Sequence, residues 1–304
     1  MEIKQIDNLD NNEYHNSETY KEYWSSSNLK KYIETPREAY FSKYVAEHKN
    51  TDAFTFGNQL HDLLASKHIK GQPFIWNVFE PPINPKTGAT YGKTTKAYLE
   101  QLAQIENPIT SSDMEIINDI WSMIRSSDYG WFFEKEILGK GIAEPSFFVE
   151  QGAHNYKYRP DVITDKYIFD YKSVAKTYWN DKKLNYRITD LGYDISAAMY
   201  QYFEHERTGI WKPFIIIWIM KDPPFDILIS DISQYCFEPF GDNEVIVNSG
   251  ANVFLSLKDQ HEACQISKNW PGLANKFNKF AGIRMAEFTP RFENYFDEFE
   301  IDVD

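Results

Sequence analysis

The stretch RPDVITDKYIFDYKSV, residues 159–174, sets Asp161, Asp170 and Lys172 into what otherwise reads as a short apolar β-hairpin. Side chains two apart on a strand share a face, so Asp170 and Lys172 project together while Phe169 and Tyr171 face the other way. A hairpin closed near Asp165 brings Asp161 alongside Asp170. Two carboxylates converging from adjacent strands make an oxygen-rich site for Mg²⁺ or Mn²⁺, hard cations that retain several waters. A lysine beside them can orient and help deprotonate a water, and attack of that water on a phosphodiester builds negative charge that a divalent ion stabilises. The chemistry implied is phosphodiester hydrolysis. Asp-x-Lys alone reads more simply as an exposed ion pair on an edge strand. Arg-Pro-Asp on the partner strand strains that account, since a surface pair has no need of three charges aimed at one point.

The elements that must position these groups follow from periodicity and punctuation. SFFVEQ, YKYRPDVIT and YIFDYKSV, rich in aromatic and β-branched residues and separated by Gly, Asn and Asp, predict an antiparallel meander over about 144–175. LGYDISAAMYQYFEHE predicts a helix, FIIIWIM a buried strand, DPP a turn, FDILISDI a further strand and NVFLSLKDQHEACQISKN a closing helix. Before the meander, SSSNLKKYIETPREAYFSKYV predicts an N-cap at Ser27 or Asn28 and a break at Thr35-Pro36, after which a second helix starts. FTFGNQLHDLLASKH has Phe56, Leu60, Leu63 and Leu64 at helical spacing, with Gly57 and His61 one turn apart on a neighbouring face. Residues 81–92 read as a loop, and two helices within about 93–130 read as a cap or lid. Helices before, amid and after a small mixed sheet give an α/β domain with an N-terminal helical elaboration. The expected organisation is a flexible N-terminal arm over 1–23, one domain over 24–290 and an acidic tail over 291–304.

The 304 residues, 42% apolar and 16% aromatic, suffice for one elaborated core. The longest apolar run, Phe214 to Met220, is too short to span a bilayer, so no membrane association is expected and a cytoplasmic location is. Cys236 and Cys264, with no CxxC pair, give no zinc ribbon, iron–sulfur cluster or disulfide framework and read as buried, reduced thiols. A formal charge of −13 argues against indiscriminate nucleic-acid binding but not against a lined channel. Six acids between Glu293 and Asp304 carry nearly half of that excess.

RPD, eight residues, then DYK resembles the PD-(D/E)xK nuclease signature, with Asp in the second acidic slot. SSSNLKKYIETPREAY, FGNQLHDLL, AEPSFFV, GYDISAAMYQ, FIIIWIMKDPPF and NWPGL follow in order the pattern of the RecE-type (exonuclease VIII-like) phage exonucleases, over about residues 24–275. The resemblance implies a restriction-endonuclease-like core and a Mg²⁺- or Mn²⁺-dependent exodeoxyribonuclease with two ions. Asp161 and Asp170 would bind metal with the Tyr171 carbonyl, Lys172 would be the catalytic lysine, Glu144 would help hold a second ion, and His61 matches the histidine of the RecB-like branch. Tyr200 matches the tyrosine of a Gln-x-x-x-Tyr motif, whose glutamine is replaced here by Ser196. Such enzymes digest one strand of linear duplex DNA from the 5′ end, leave 3′ overhangs for strand-annealing recombination, partner a RecT-like annealing protein and form trimeric or tetrameric rings in a bacterium or phage-infected host.

Each residue also has a plainer reading. His61 beside leucines fits a satisfied core histidine, and Glu144 a solvated acid at a strand edge. Lys172, Lys176, Lys182, Lys183 and Arg187, interleaved with Tyr178 and Trp179, suit either a groove that follows phosphates and stacks bases or a solvated loop. By its place in the entry segment that resembles the family, Arg37 is a candidate for reading a terminal phosphate. The acidic tail fits a solvating terminus or a docking segment. An endonuclease of the same fold, or a catalytically silent DNA- or partner-binding scaffold, stands as the alternative.

Overall fold

A computed structural model describes residues 1–46, 52–68, 74–152, 154–241 and 243–273. In chain order the strands are β1 (Glu2–Ile6), β2 (Asn77–Phe79), β3 (Pro108–Thr110), β4 (Ile142–Ala143), β5 (Ser146–Gln151), β6 (His154–Tyr158), β7 (Val162–Ile163), β8 (Ile168–Val174), β9 (Phe214–Met220), β10 (Asp226–Asp231), β11 (Phe237–Phe240) and β12 (Glu244–Val247). The helices are α1 (Asn11–Asn16), α2 (Ser26–Lys30), α3 (Pro36–Tyr44), α4 (Asp52–His68), α5 (Lys96–Leu102), α6 (Ser111–Ser126), α7 (Gly130–Phe132), α8 (Asp181–Asp190), α9 (Tyr193–Thr208) and α10 (Ser249–Ser267). Among the described residues no helix is long and apolar enough to cross a membrane.

The central sheet runs β10-β9-β8-β7-β4, with β8 and β9 parallel and its other pairs antiparallel. A parallel pair needs a crossover, and the chain makes it with α8 and α9. Every residue of β9 is buried, as an uninterrupted apolar strand requires when both faces are covered. Ile216 and Trp218 pack with Ile168 and Val174 into the layer built by α8, α9 and α10. Their neighbours Ile215, Ile217 and Ile219 join Phe169 and Tyr171 on the other face, against Leu60 and Leu64 of α4 and Ile120 and Ile124 of α6. The mixed sheet between helical layers agrees with the α/β expectation.

Several sequence expectations need correction. The meander is split, because YKYRPDVIT forms two strands rather than one. β6 belongs to a three-stranded sheet, β1-β5-β6, whereas β7 and β8 belong to the central sheet. The break falls at Arg159-Pro160-Asp161, where proline has no N–H to give a ladder. The N-terminal segment is not a loose arm. β1 pairs along β5 from Glu2↔Glu150 to Ile6↔Ser146, and Trp24 exchanges backbone hydrogen bonds with the strand at Asn155 and Lys157. Buried Lys157 donates to the carbonyls of Tyr14 (2.6 Å) and Tyr20 (3.3 Å), and Arg159 donates to that of Leu9 (3.0 Å). Main-chain acceptors, which leave no periodic signature in side chains, hold this segment in place. Nor does α6 stand off as a lid, since Ile120 and Ile124 are fully buried against the central sheet. α2 is capped at Ser25 rather than Ser27 or Asn28, with the Ser25 amide donating to Asn28 Oδ1. The break at Thr35-Pro36 is as expected, with Thr35 capping α3 and proline in its first turn. The acidic tail over 291–304 lies outside the described residues.

Candidate active site

The site exists because β7 is short. Its pairing with β8 ends at Val162↔Phe169, so beyond Phe169 the β8 backbone has no strand partner on that side. The chain turns away at Asp161 and the side chain replaces the missing ladder: the Tyr171 amide donates to Asp161 Oδ2 at 2.5 Å. That one bond sets Asp161 beside Asp170, while Asp170 and Lys172 share the face of Ile168 and Val174 and form an ion pair with each other. From the other face of the sheet, α4 brings His61, whose Nδ1 lies 3.2 Å from Asp161 Oδ1 and whose ring meets Tyr171 edge-on. Glu144 joins from the β4–β5 junction, where a left-handed backbone (φ 45°) lets its amide donate to the Asp161 carbonyl at 3.0 Å. The strand edge thus gathers three acids, a lysine and a histidine drawn from three separate parts of the chain.

The electrostatics follow from this crowding. Burial would raise the Asp161 carboxyl, but His61, Lys172 and the Tyr171 amide overcome it and hold the group down at about 2. Burial would likewise lower His61, yet the Asp161 charge and hydrogen bond raise it to about 8. Asp170 is raised by burial and by the like charge of Asp161, against the pull of Lys172. Glu144 is raised by the same two causes, burial and Asp161. Lys172 is raised above the ordinary lysine value because Asp170 and Asp161 outweigh its desolvation, so it stands here as an ammonium ion. Two mutually repelling carboxylates, one carrying an elevated affinity for positive charge, fit a hard divalent ion that takes oxygen ligands and keeps most of its own water. Among the described residues no three His, Cys, Asp or Glu side chains gather closely enough to cage an ion unaided.

Residues 25–276 match the family described as "PDDEXK-like domain of unknown function (DUF3799)". The chain belongs to this family. Among solved structures it is similar to a crystal structure from Eubacterium rectale, of a protein carrying the provisional name exonuclease. The TM-score is 0.53 at 16% identity, and the similarity covers 91% of this chain and 96% of that one, which bears on the fold. No curated protein matches the chain. The PDDEXK-like family and its restriction-endonuclease-like fold account for the mixed sheet, and together they support a nuclease.

The other candidate residues of this PDDEXK-like chain are distributed unevenly. Tyr200, on α9, lies near enough to feel the charges of Asp170 and Asp161 and packs on Tyr158, so it borders the site; burial raises its hydroxyl. Ser196, one turn earlier, hydrogen-bonds the Gly192 carbonyl at 3.3 Å. The basic segment after β8 is largely occupied in its own scaffolding. Lys176 Nζ donates to the Pro223 carbonyl and Lys183 Nζ to that of Thr177. Trp179 Nε1 donates to Asp226, Arg187 lies over the Tyr178 ring, and Lys182 is exposed. Arg37, in the first turn of α3, lies against Gly272 and is not brought to the carboxylates by any contact in the described residues. Two groups that sequence reasoning missed stand closer. Lys172 Nζ sits 5.1 Å from the centre of the Tyr193 ring. Lys30 donates to the Leu191 carbonyl at 3.2 Å, and burial, then repulsion from Lys172, lowers its amine to about 8. Both lie within the stretches SSSNLKKY and GYDISAAMYQ, yet neither residue type announces a role by spacing alone.

Proposed function

We propose that this chain is a metal-dependent exodeoxyribonuclease of the RecE type, degrading one strand of linear duplex DNA from its 5′ end and leaving a 3′ overhang for recombination by strand annealing. The observation that carries the reading is the convergence of Asp161, Asp170, Lys172 and His61 at one open strand edge. Asp161, Asp170 and the Tyr171 carbonyl would hold Mg²⁺ or Mn²⁺, with Glu144 and His61 flanking Asp161 where a second ion would sit. A bound ion would supply Lewis-acid stabilisation of the charge that develops on the phosphate. His61 orients Asp161 through its Nδ1 contact, and the Tyr171 amide fixes the other carboxylate oxygen, so the pair is pre-organised. Lys172, an ammonium while Asp170 and Asp161 bear full charge, orients the attacking water and stabilises negative charge. Neutralising those carboxylates would lower its proton affinity toward that of a general base. Tyr200 and Ser196 on α9 border the place where the strand would lie.

In this reading the protein works on duplex ends in the cytoplasm of a bacterium or phage-infected host, with a single-strand annealing partner. Assembly as a trimeric or tetrameric ring would let topology, rather than a basic surface, retain the substrate on a chain of charge −13. The test is digestion of linear duplex labelled on one strand at a time, with Mg²⁺ and with chelator. Loss of the 5′-labelled ends first, with covalently closed circles left intact, is the expected result. Cutting of closed circles would replace the exonuclease with an endonuclease, and metal-independent cutting would overturn the site.

A further inference from the structure

A cavity of about 660 Å³ lies between α4, α5, α6 and the β9–β10 turn, and none of the site's carboxylates is among the residues that line it. It is within the range of about 300–1,000 Å³ that holds a small organic group. Its position ties it to the site. Gly57 lies over Ser173, the residue after Lys172, and the Lys221 amide bonds the Val174 carbonyl at 3.0 Å, so the cavity begins where β8 ends. Phe56 and Gln59 flank Gly57 on the same helix whose next turn carries His61. The walls are half apolar, with Phe56, Tyr98, Leu102 and Ile116, and half polar, with Gln59 and Lys221. The Lys221 ammonium sits 5.7 Å from the centre of the Phe56 ring. The acids that also border the space are engaged: Thr110 Oγ1 donates to Asp113 at 2.8 Å and the Lys176 amide to Asp222 at 2.7 Å.

We propose that this cavity seats an unpaired nucleobase of a DNA strand next to the cleavage site, with the base against Phe56 and a neighbouring phosphate on Lys221. An aromatic ring with a cation close over it brings together the two groups that bind single strands without regard to sequence, because every base has a π-face and every linkage a charge. A base held in a duplex is stacked between its neighbours and cannot lay its face on a protein ring, so the site discriminates frayed or displaced strand from duplex. The choice of DNA as ligand rests on the nuclease reading above, but the cavity is tested without cleavage.

The full-length protein is mixed in chelator with a single-stranded oligothymidylate carrying 5-iodouracil, irradiated, and its cross-linked peptides are mapped. Fluorescence anisotropy of the same oligonucleotide is followed against salt. Cross-links in the peptides holding Phe56 or Tyr98 are expected, with about tenfold weaker binding for Phe56→Leu. Lys221→Gln should reduce the slope of log affinity against log salt by about 0.7. Cross-links confined to other peptides, with both variants binding as the parent does, would overturn the proposal. Lys221 is only partly buried, which makes its variant readable even where Phe56→Leu fails to fold. Cross-linking here without metal-dependent cutting would leave this binding site standing and remove the nuclease reading; cutting with an unlabelled cavity would do the reverse.

Discussion

Replacing Lys172 by methionine isolates the electrostatic core of the site. The ammonium is paired with Asp170, at side-chain exposures of 23% and 15%, and it also counters Asp161. Removing one partner of a largely buried pair costs about 3–5 kcal/mol, because the remaining charge keeps its desolvation and loses its compensation. Here two carboxylates are left facing each other, and the residual exposure argues for the lower end, about 3 kcal/mol. In chelator the melting temperature should therefore fall by about 5–10 °C. Mg²⁺ should restore much of this loss, since a ligand at a hundred times its dissociation constant returns about 2.7 kcal/mol to the state that binds it. Cleavage should stay depressed by about 10²–10⁴-fold, the contribution typical of a positioned proton-transfer group. The assays are thermal melts with and without Mg²⁺ and single-turnover digestion of end-labelled duplex. A Lys172→Met protein that melts like the parent in chelator would show that the carboxylates are not coupled to the lysine. One that cuts at the parental rate would remove Lys172 from the chemistry.

Three further outcomes follow from groups away from the carboxylates. His261 is fully buried, its Nδ1 3.0 Å from the Tyr32 hydroxyl, and burial, then the charges of His154, Lys43 and Lys258, lower it to about 3. Its neutral form is favoured on folding, so its stabilising contribution is complete above about pH 6.5 and is lost as pH falls toward 3, at about 1.4 kcal/mol per unit. His261→Phe should flatten that acid limb in urea melts, and an unchanged limb would refute the assignment. Lys157→Met should cost about 2–3 kcal/mol by orphaning the Tyr14 and Tyr20 carbonyls, and should raise amide exchange over residues 2–24 before the central sheet; uniform exchange would show that the anchor is elsewhere. Gly192→Ala, at a left-handed backbone (φ 61°) with a new Cβ only 2.7 Å from Lys30 Cδ, should destabilise by about 1–2 kcal/mol in denaturant titration. Parental stability there would mean that the Leu191–Tyr193 turn relaxes freely.

Much of the site was legible because it is local. The i, i+2 spacing of Asp170 and Lys172 and a four-residue connection to β7 are short-range facts, and β8 adopts them as expected. β9 and α9 were legible for the same reason: an unbroken apolar run and a helical pattern state their burial in their own residues. The N-terminal segment was not, because Lys157 and Arg159 hold it by main-chain carbonyls to which any residue contributes equally. The meander was misjudged because proline marks a break without saying to which sheet each half will go.

The sequence by itself determined the chemical inventory: two aspartates and a lysine at hairpin spacing, a histidine on an amphipathic helix, and an order of elements that suits a mixed sheet. Only the tertiary structure decided that β7 begins no earlier than Val162, that the Tyr171 amide then takes Asp161 in place of a strand, and that His61, Tyr193 and Lys30 arrive around the same point. The reason is that side-chain periodicity is set by neighbours along the chain, whereas the charge state and partners of a buried group are set by whatever residues the fold places around it, however far apart they lie in sequence.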